Sequence, residues 1–228
     1  MISFSYNLCC RDVSTFVSER TKKSVMEYLY KQYLSESRNI RVEEGLIIIP
    51  DISGYTEFVS SICIEAGRYI TGELLSTILQ ANKLGMNVSE IEGDAILFYK
   101  FGKKPSMKRI LKLYETMLRS FTIKLREIET IIGHDLGLSL KLIAHYGTFS
   151  EYTIGTFKKL YGEPVVKAHS LLKNTIKSKT YILMTNAVVS KETAKKEKEY
   201  FFINYQLQNN FITTIKNKRN GTNNKNNI

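Results

Sequence analysis

The most informative segment of this sequence is Leu46-Ile-Ile-Ile-Pro-Asp51-Ile-Ser-Gly54-Tyr-Thr56-Glu-Phe58. A short apolar run ends in Asp51, Gly54 follows three residues later, and Thr56 opens an amphipathic segment. This order predicts a buried strand over residues 45–51, a tight turn and a helix N-terminus. The carboxylate would then lie at a sheet edge, beside backbone N–H groups that can hold an anion. Proteins hold magnesium-bound phosphates with such a combination.

A second carboxylate, Asp94, lies in a glycine-containing turn between two predicted strands, 86–91 and 95–101. If these strands neighbour the first one, Asp51 and Asp94 project from one sheet edge. Two carboxylates there repel each other unless a cation lies between them, which favours a metal site. Each residue also has a structural alternative, since Asp is common at helix N-caps and in hairpin turns.

The remaining hydrophobic periodicity predicts an α+β fold. Helices are predicted over 11–35, 55–83 (two helices with a break near 65–67), 105–132, 163–173 and 191–198, and strands over 45–51, 86–91, 95–101, 137–147, 181–184 and, as a pair, within 201–215. Residues 148–162 are predicted as turns. This order indicates a ferredoxin-like, polymerase-palm-type sandwich, with a mainly antiparallel sheet and helices on one face.

The composition is that of a soluble globular protein, with 228 residues, of which 43% are hydrophobic and 24% are charged. We expect an N-terminal helical extension (1–43), one main domain (44–207) and a disordered basic Asn- and Lys-rich tail (208–228). The sequence has no apolar run near the roughly 20 residues of a membrane span and no signal-peptide pattern, so we expect a cytoplasmic location. Three cysteines without metal-binding spacing are expected to be reduced.

The formal net charge of +11 suggests a polyanionic partner. The basic residues form scattered clusters that match no nucleic-acid-binding signature, for example at 100–104 and 191–198. A solvated basic surface is the simplest interpretation. The phosphates of a nucleotide would be attracted by the same field.

Four short segments follow one another at spacings known from one protein family. They are Asp51-Ile-Ser-Gly-Tyr-Thr56, Glu92-Gly-Asp94, His145-Tyr-Gly147 and Tyr161-Gly-Glu-Pro-Val-Val-Lys-Ala-His-Ser-Leu171. In turn they resemble the Asp-Ile-x-Gly-Phe-Thr signature, the Ile-Gly-Asp hairpin, the His-Thr-Gly strand end and the Gly-Asp-x-Val-Asn-x-Ala-x-Arg-Leu helix start of class III adenylate and guanylate cyclases. The resemblance covers about residues 44–185, and the chain also resembles a bacterial branch of that superfamily catalogued as a domain of unknown function.

The resemblance implies a site for a nucleoside triphosphate with two Mg²⁺ or Mn²⁺ ions. Asp51, Asp94 and the backbone carbonyl of Ile52 would hold the metals. The implied nucleotide-binding residues are Ser53, Gly54, Tyr55, Thr56 and Gly93. Family members cyclise the triphosphate by attack of its 3′-hydroxyl on the α-phosphate, with release of pyrophosphate.

Two further positions would select the base. One falls on Glu90, the residue type of guanylate-forming members, and the other falls on Lys159, which fits neither the adenine nor the guanine pattern. The base therefore stays open.

Two family residues are replaced in this chain. The asparagine that orients the ribose aligns with Val166, and the arginine that stabilises the transition-state phosphate aligns with Ser170. Neither Val166 nor Ser170 supplies the positive charge of the arginine, and such a charge can raise the rate by orders of magnitude. We therefore assign no catalytic residue.

Class III sites form between two chains, so the resemblance implies a homodimer, or a heterodimer with a complementary cyclase-like chain.

Three functions remain open. The first function is a metal-dependent cyclase-like domain, and the second is a catalytically inactive module for nucleotide binding or dimerisation. The least favoured is a basic nucleic-acid-binding protein.

Overall fold

The computed structural model describes residues 41–189, 200–208 and 211–215, and describes side chains for 41–189 and 201–205. Three predicted segments lie outside the described residues. These are the helix over 11–35 with the rest of the N-terminal extension before residue 41, the helix over 191–198, and the tail beyond residue 215.

The described part of the chain contains both strands and helices. In order they are β1 (Arg41–Ser53), α1 (Tyr55–Ser61), α2 (Ile64–Gln80), β2 (Asn87–Glu92), β3 (Ala95–Phe101), α3 (Met107–Ile132), β4 (Ser139–Ile154), β5 (Phe157–Tyr161), α4 (Glu163–Leu172), β6 (Tyr181–Thr185), β7 (Tyr200–Gln208) and β8 (Phe211–Ile215).

The strands form one twisted sheet in the order β2-β3-β1-β4-β6-β7-β8, and β5 pairs with β4 outside this path. Strand β1 lies between β3 and β4 and is antiparallel to both. Strands β4 and β6 are parallel, because α4 crosses between them, and the other strand pairs are antiparallel. The predicted α+β class with a mainly antiparallel sheet is confirmed.

Both faces of the sheet are apolar at its centre. On β1, Leu46 and Ile48 point to one face, where they pack with residues of α2 and α3, whereas Ile47 and Ile49 point to the other. Helix α4 covers that second face through Ala168 and the apolar residues beside it. The expectation that the helices share one face was therefore wrong for α4. An apolar run without alternation, such as 46–49, is typical of a strand that is covered on both sides.

Several element boundaries differ from those predicted. Strand β4 continues to Ile154 and forms a hairpin with β5 across Gly155, whose φ is 58°, in the region predicted as turns. The break between α1 and α2 lies before Ile64, and Gly67 lies inside α2. Strand β1 begins at Arg41, and β8 lies within the segment assigned to the tail.

One histidine is buried beneath α4. His145 on β4 has only 8% of its surface exposed, and its Nδ1 lies 2.7 Å from the hydroxyl oxygen of Thr185 on β6. Burial lowers the pKa of His145, while the nearby Glu163 opposes this shift and Lys167 adds to it. The folded protein therefore favours the neutral imidazole.

We predict that His145 makes the protein less stable in mild acid. A histidine in the unfolded chain gains a proton as the pH falls below about 6.5, whereas folded His145 resists protonation. The contribution of His145 to the free energy of unfolding is therefore fully present above about pH 6.5. It is lost as the pH falls through the lower pKa of His145 in the folded protein. Urea unfolding across this range should show a shallower pH dependence in His145→Gln, whatever the overall stability of the variant.

The matched control is His134→Gln, which changes an exposed loop histidine. This variant should keep the pH dependence of the wild type. An unchanged slope in His145→Gln would contradict the assignment.

Candidate functional site

The register of β1 brings the two predicted carboxylates together. Asp51 is opposite Ala95 on β3, so the adjoining turn residue Asp94 lies beside the end of β1. The backbone N–H of Ile52 donates a hydrogen bond of 3.1 Å to the backbone carbonyl of Asp94. The turn is thereby fixed against the strand, with Asp51 buried next to it.

The two carboxylates interact electrostatically. The pKa of Asp94 is raised, first by burial and then by the negative charge of Asp51, while a backbone hydrogen bond and the charge of Lys141 oppose the shift. A raised carboxyl pKa means that the ionised form is disfavoured in the folded protein. A bound cation would relieve this penalty.

A lysine that sequence reasoning missed lies at the same place. Lys141 on β4 is directly opposite Asp51 in the sheet, and its Nζ is 3.1 Å from Asp51 Oδ1. The two side chains are only 20% and 13% exposed, so this ion pair is largely shielded from water. The alternation of β4 places Lys141 on the other face of the sheet from Leu140 and Leu142, but only the strand pairing shows which residue it meets.

The predicted nucleotide-binding residues lie next to the two carboxylates in the chain. Ser53 ends β1, Gly54 forms the turn, and Tyr55 and Thr56 begin α1. Gly93 precedes Asp94 with a φ of 59°. Gly54 has a φ of 87°, and a Cβ atom there would lie 2.6 Å from the carbonyl oxygen of Gly137. Glycine is therefore required for this turn. No side chain caps the first turn of α1.

The two predicted base-selecting residues also meet. Lys159 Nζ on β5 is 2.6 Å from Glu90 Oε2 on β2, and the hydrogen bond from Lys159 joins residues 69 positions apart. His169 on α4, which was not predicted as a site residue, places its Nε2 3.5 Å from Glu90 Oε1. Both oxygens of Glu90 thus have a cationic or potentially cationic partner.

The positions of the missing family residues are on the outer side of α4. Val166 is 69% exposed, and Ser170 is exposed with its hydroxyl donating to the carbonyl of Lys167 in the same helix. The buried residues of α4 are Pro164 and Ala168. Both replaced positions therefore face outward from the sheet.

The donor set determines which metal the site suits. Across the described residues, no group of three or more His, Cys, Asp or Glu side chains is placed to hold a metal. Asp51, Asp94 and the carbonyl of Ile52 offer oxygen atoms alone. This set fits Mg²⁺ or Mn²⁺, because such ions take one or two carboxylates and complete their shells with phosphate and water.

Sequence comparison links the chain to proteins without an assigned activity. Residues 71–181 match the family model described as "Protein of unknown function (DUF2652)". The uncharacterized protein Rv2561/Rv2562 of Mycobacterium tuberculosis is 28% identical over 123 residues, which cover 51% of this chain. The match spans 57% of that protein's length.

Structural comparison identifies the fold. The guanylyl cyclase Cya2 superposes with a TM-score of 0.59 at 14% identity, over 76% of this chain and 89% of that chain. A class III adenylyl cyclase-like ATP-binding protein from Pseudomonas aeruginosa gives 0.58 at 15% identity, over 80% and 46%. The fold is that of class III adenylyl and guanylyl cyclase domains, which confirms the resemblance at the level of architecture.

Among the described residues, no helix is long and apolar enough to cross a membrane.

We predict that Asp94→Asn stabilises the metal-free protein at neutral pH. Because folding raises the pKa of Asp94, its contribution to stability is fully present below the unfolded value of about 3.9 and is lost as the pH rises through the folded-state value. Removing the charge should raise the melting temperature near pH 7 by about 2–4 °C and leave it nearly unchanged near pH 4. Calorimetry in the presence of a chelator measures both.

The control is Glu92→Gln, which alters an exposed carboxylate of the same hairpin. Its melting temperature should follow that of the wild type. A lower melting temperature for Asp94→Asn at neutral pH would contradict the electrostatic account.

Proposed function

We propose that this chain is a class III cyclase-like domain that binds a nucleoside triphosphate together with Mg²⁺ or Mn²⁺. Asp51, Asp94 and the carbonyl of Ile52 would hold the metal. The observation that carries the proposal is the meeting of Asp51, near the end of β1, with Asp94, in the turn between β2 and β3. The cyclase-domain fold supports it.

The residues around the carboxylates have complementary tasks in this proposal. The backbone N–H groups of the Ser53–Thr56 turn would donate to phosphate oxygens, because no side chain caps them. Lys141 would add positive charge beside the phosphates. When bound, the metal supplies neutralisation of phosphate charge and activation of the attacking hydroxyl.

The Glu90–Lys159 pair would bind the base. A carboxylate accepts hydrogen bonds from base amino or imino groups, and an ammonium donates to a ring nitrogen or a carbonyl. Both purines offer such an edge, with adenine using its N6 amino group and N1, and guanine its N1–H and O6. The direct contact between Lys159 and Glu90 would have to open to admit the base.

A second chain would complete the site. The β4–β5 hairpin and the start of α4 expose the large apolar side chains Ile154, Phe157, Tyr161 and Val166. An apolar surface of this kind is typical of a protein–protein interface. We propose that it mediates dimerisation, with a second copy or with a related chain.

The kind of dimer would decide whether the domain is an enzyme. Val166 and Ser170 cannot supply the transition-state contacts of the family asparagine and arginine, so a homodimer would bind nucleotide with little or no cyclisation. A partner that carries both residues would provide one catalytic site. The inactive nucleotide-binding module is therefore the second candidate function, and the P. aeruginosa structure described as an ATP-binding protein favours it.

The proposal is tested by calorimetric binding of the non-cyclisable α,β-methylene analogues of ATP and GTP to the full chain. We expect binding only with Mn²⁺ or Mg²⁺ present, and a loss of about tenfold or more in affinity for Asp51→Asn and for Asp94→Asn. Glu92→Gln should bind like the wild type. Incubation with ATP or GTP and Mn²⁺, followed by chromatography for a cyclic nucleotide, separates the enzyme from the binding module.

Two results would contradict the proposal. The first is nucleotide binding that is unaffected by removal of metal or by either aspartate change. The second is steeply salt-dependent binding to nucleic acid that survives both changes in the absence of nucleotide binding, which would favour the nucleic-acid-binding alternative.

A further inference from the structure

The carboxylate pair already contains a cation. Lys141 Nζ lies 3.1 Å from Asp51 Oδ1, with both side chains largely withdrawn from water. Its charge also acts on Asp94, since Lys141 opposes the rise in the pKa of that carboxyl group. Lys141 is thus within electrostatic range of both carboxylates.

The surroundings hold this lysine in place. The register between β1 and β4 fixes its backbone opposite Asp51. Burial raises the pKa of Tyr181 on β6, while a hydrogen bond of 2.7 Å from Asn174 Nδ2 and the charge of Lys141 oppose the shift. The charge of Asp51 adds to it, so Tyr181 lies near the ion pair. No other ion pair of Lys141 occurs among the described side chains.

A divalent ion and the Lys141 ammonium would compete for the same carboxylate. Placing two cations within a few ångströms of each other in a partly shielded site is unfavourable. A free metal ion would have to displace the ammonium and leave it beside the metal without an anion. A metal that arrives with a triphosphate brings the anion that the displaced ammonium needs.

We propose that Lys141 is a built-in counter-ion that excludes free divalent metal from the Asp51–Asp94 pair and admits it together with a triphosphate. Lys141 is then a positioning residue that sets the order of binding. This inference rests on the proposed metal–nucleotide function, but it concerns the metal-free state of the chain as well. It predicts strong coupling between metal and triphosphate in the wild type.

The test measures protein-bound Mn²⁺ by water-proton relaxation enhancement, using the full chain freed of metal and inorganic triphosphate as the anion. Lys141→Gln should bind free Mn²⁺ about tenfold or more tightly than the wild type, because the competing charge is gone. Lys141→Arg, which keeps the charge, should bind free Mn²⁺ as weakly as the wild type. Adding triphosphate should strengthen Mn²⁺ binding far more in the wild type than in Lys141→Gln.

Two controls locate the effect. Lys179→Gln removes an exposed cation near the Gly54 turn, whose Nζ lies 3.4 Å from the carbonyl oxygen of Gly137, and should leave the affinity for free Mn²⁺ unchanged. Asp51→Asn combined with Lys141→Gln should lose the gained affinity, which places the metal at the carboxylate pair.

Equal affinities for free Mn²⁺ in the wild type and in Lys141→Gln would overturn the inference. If Lys141→Gln does not fold, the wild type decides, and a lack of any gain in Mn²⁺ affinity with triphosphate overturns it. The inference fails alone if the wild type binds a nucleotide analogue with metal through Asp51 and Asp94 yet also binds free Mn²⁺ as tightly as Lys141→Gln. The proposed function fails alone if Lys141→Gln binds free Mn²⁺ tightly through Asp51 while no variant binds nucleotide.

Discussion

The register of β1 between β3 and β4 is the constraint on which the rest of the structure depends. It sets Asp51 opposite Ala95 on one side and opposite Lys141 on the other. A slip of one residue would turn Asp51 to the opposite face of the sheet, away from Lys141. The register of β1 therefore fixes the charged groups at the strand end. Two carboxylates and one ammonium leave one negative charge uncompensated, which is the physical reason for expecting a cation there.

Much of the architecture could be predicted from the sequence, because its signals are local. Apolar runs, the Gly54 turn and the long periodic helix α3 each follow from neighbouring residues. The β4–β5 hairpin was missed because Gly155 and Gly162 give residues 148–162 the composition of a loop. The position of α4 on its own sheet face was missed because the apolar faces of β1 do not show which helix covers each of them.

The site could be predicted only in part, because some of its residues have no local signal in the sequence. Asp51 and Asp94 stand in recognisable motifs, whereas Lys141 and His169 have no motif and acquire their place only through strand pairing and helix packing. The resemblance alone predicts Glu90 and Lys159, and the structure brings them into one ion pair. The outward-facing Val166 and Ser170 explain why one chain contains the two carboxylates, the Gly54 turn and the Glu90–Lys159 pair, but no candidate for the transition-state charge.

The central claim is that Asp51 and Asp94 share a metal ion in the presence of a triphosphate. The most direct measurement is the anomalous diffraction of crystals grown with Mn²⁺ and an α,β-methylene nucleoside triphosphate. We expect a manganese peak at about 2.0–2.2 Å from carboxylate oxygens of both residues, with Lys141 moved from Asp51 to a phosphate oxygen. Bound nucleotide without a manganese peak at this pair, and with Lys141 still on Asp51, would contradict the claim.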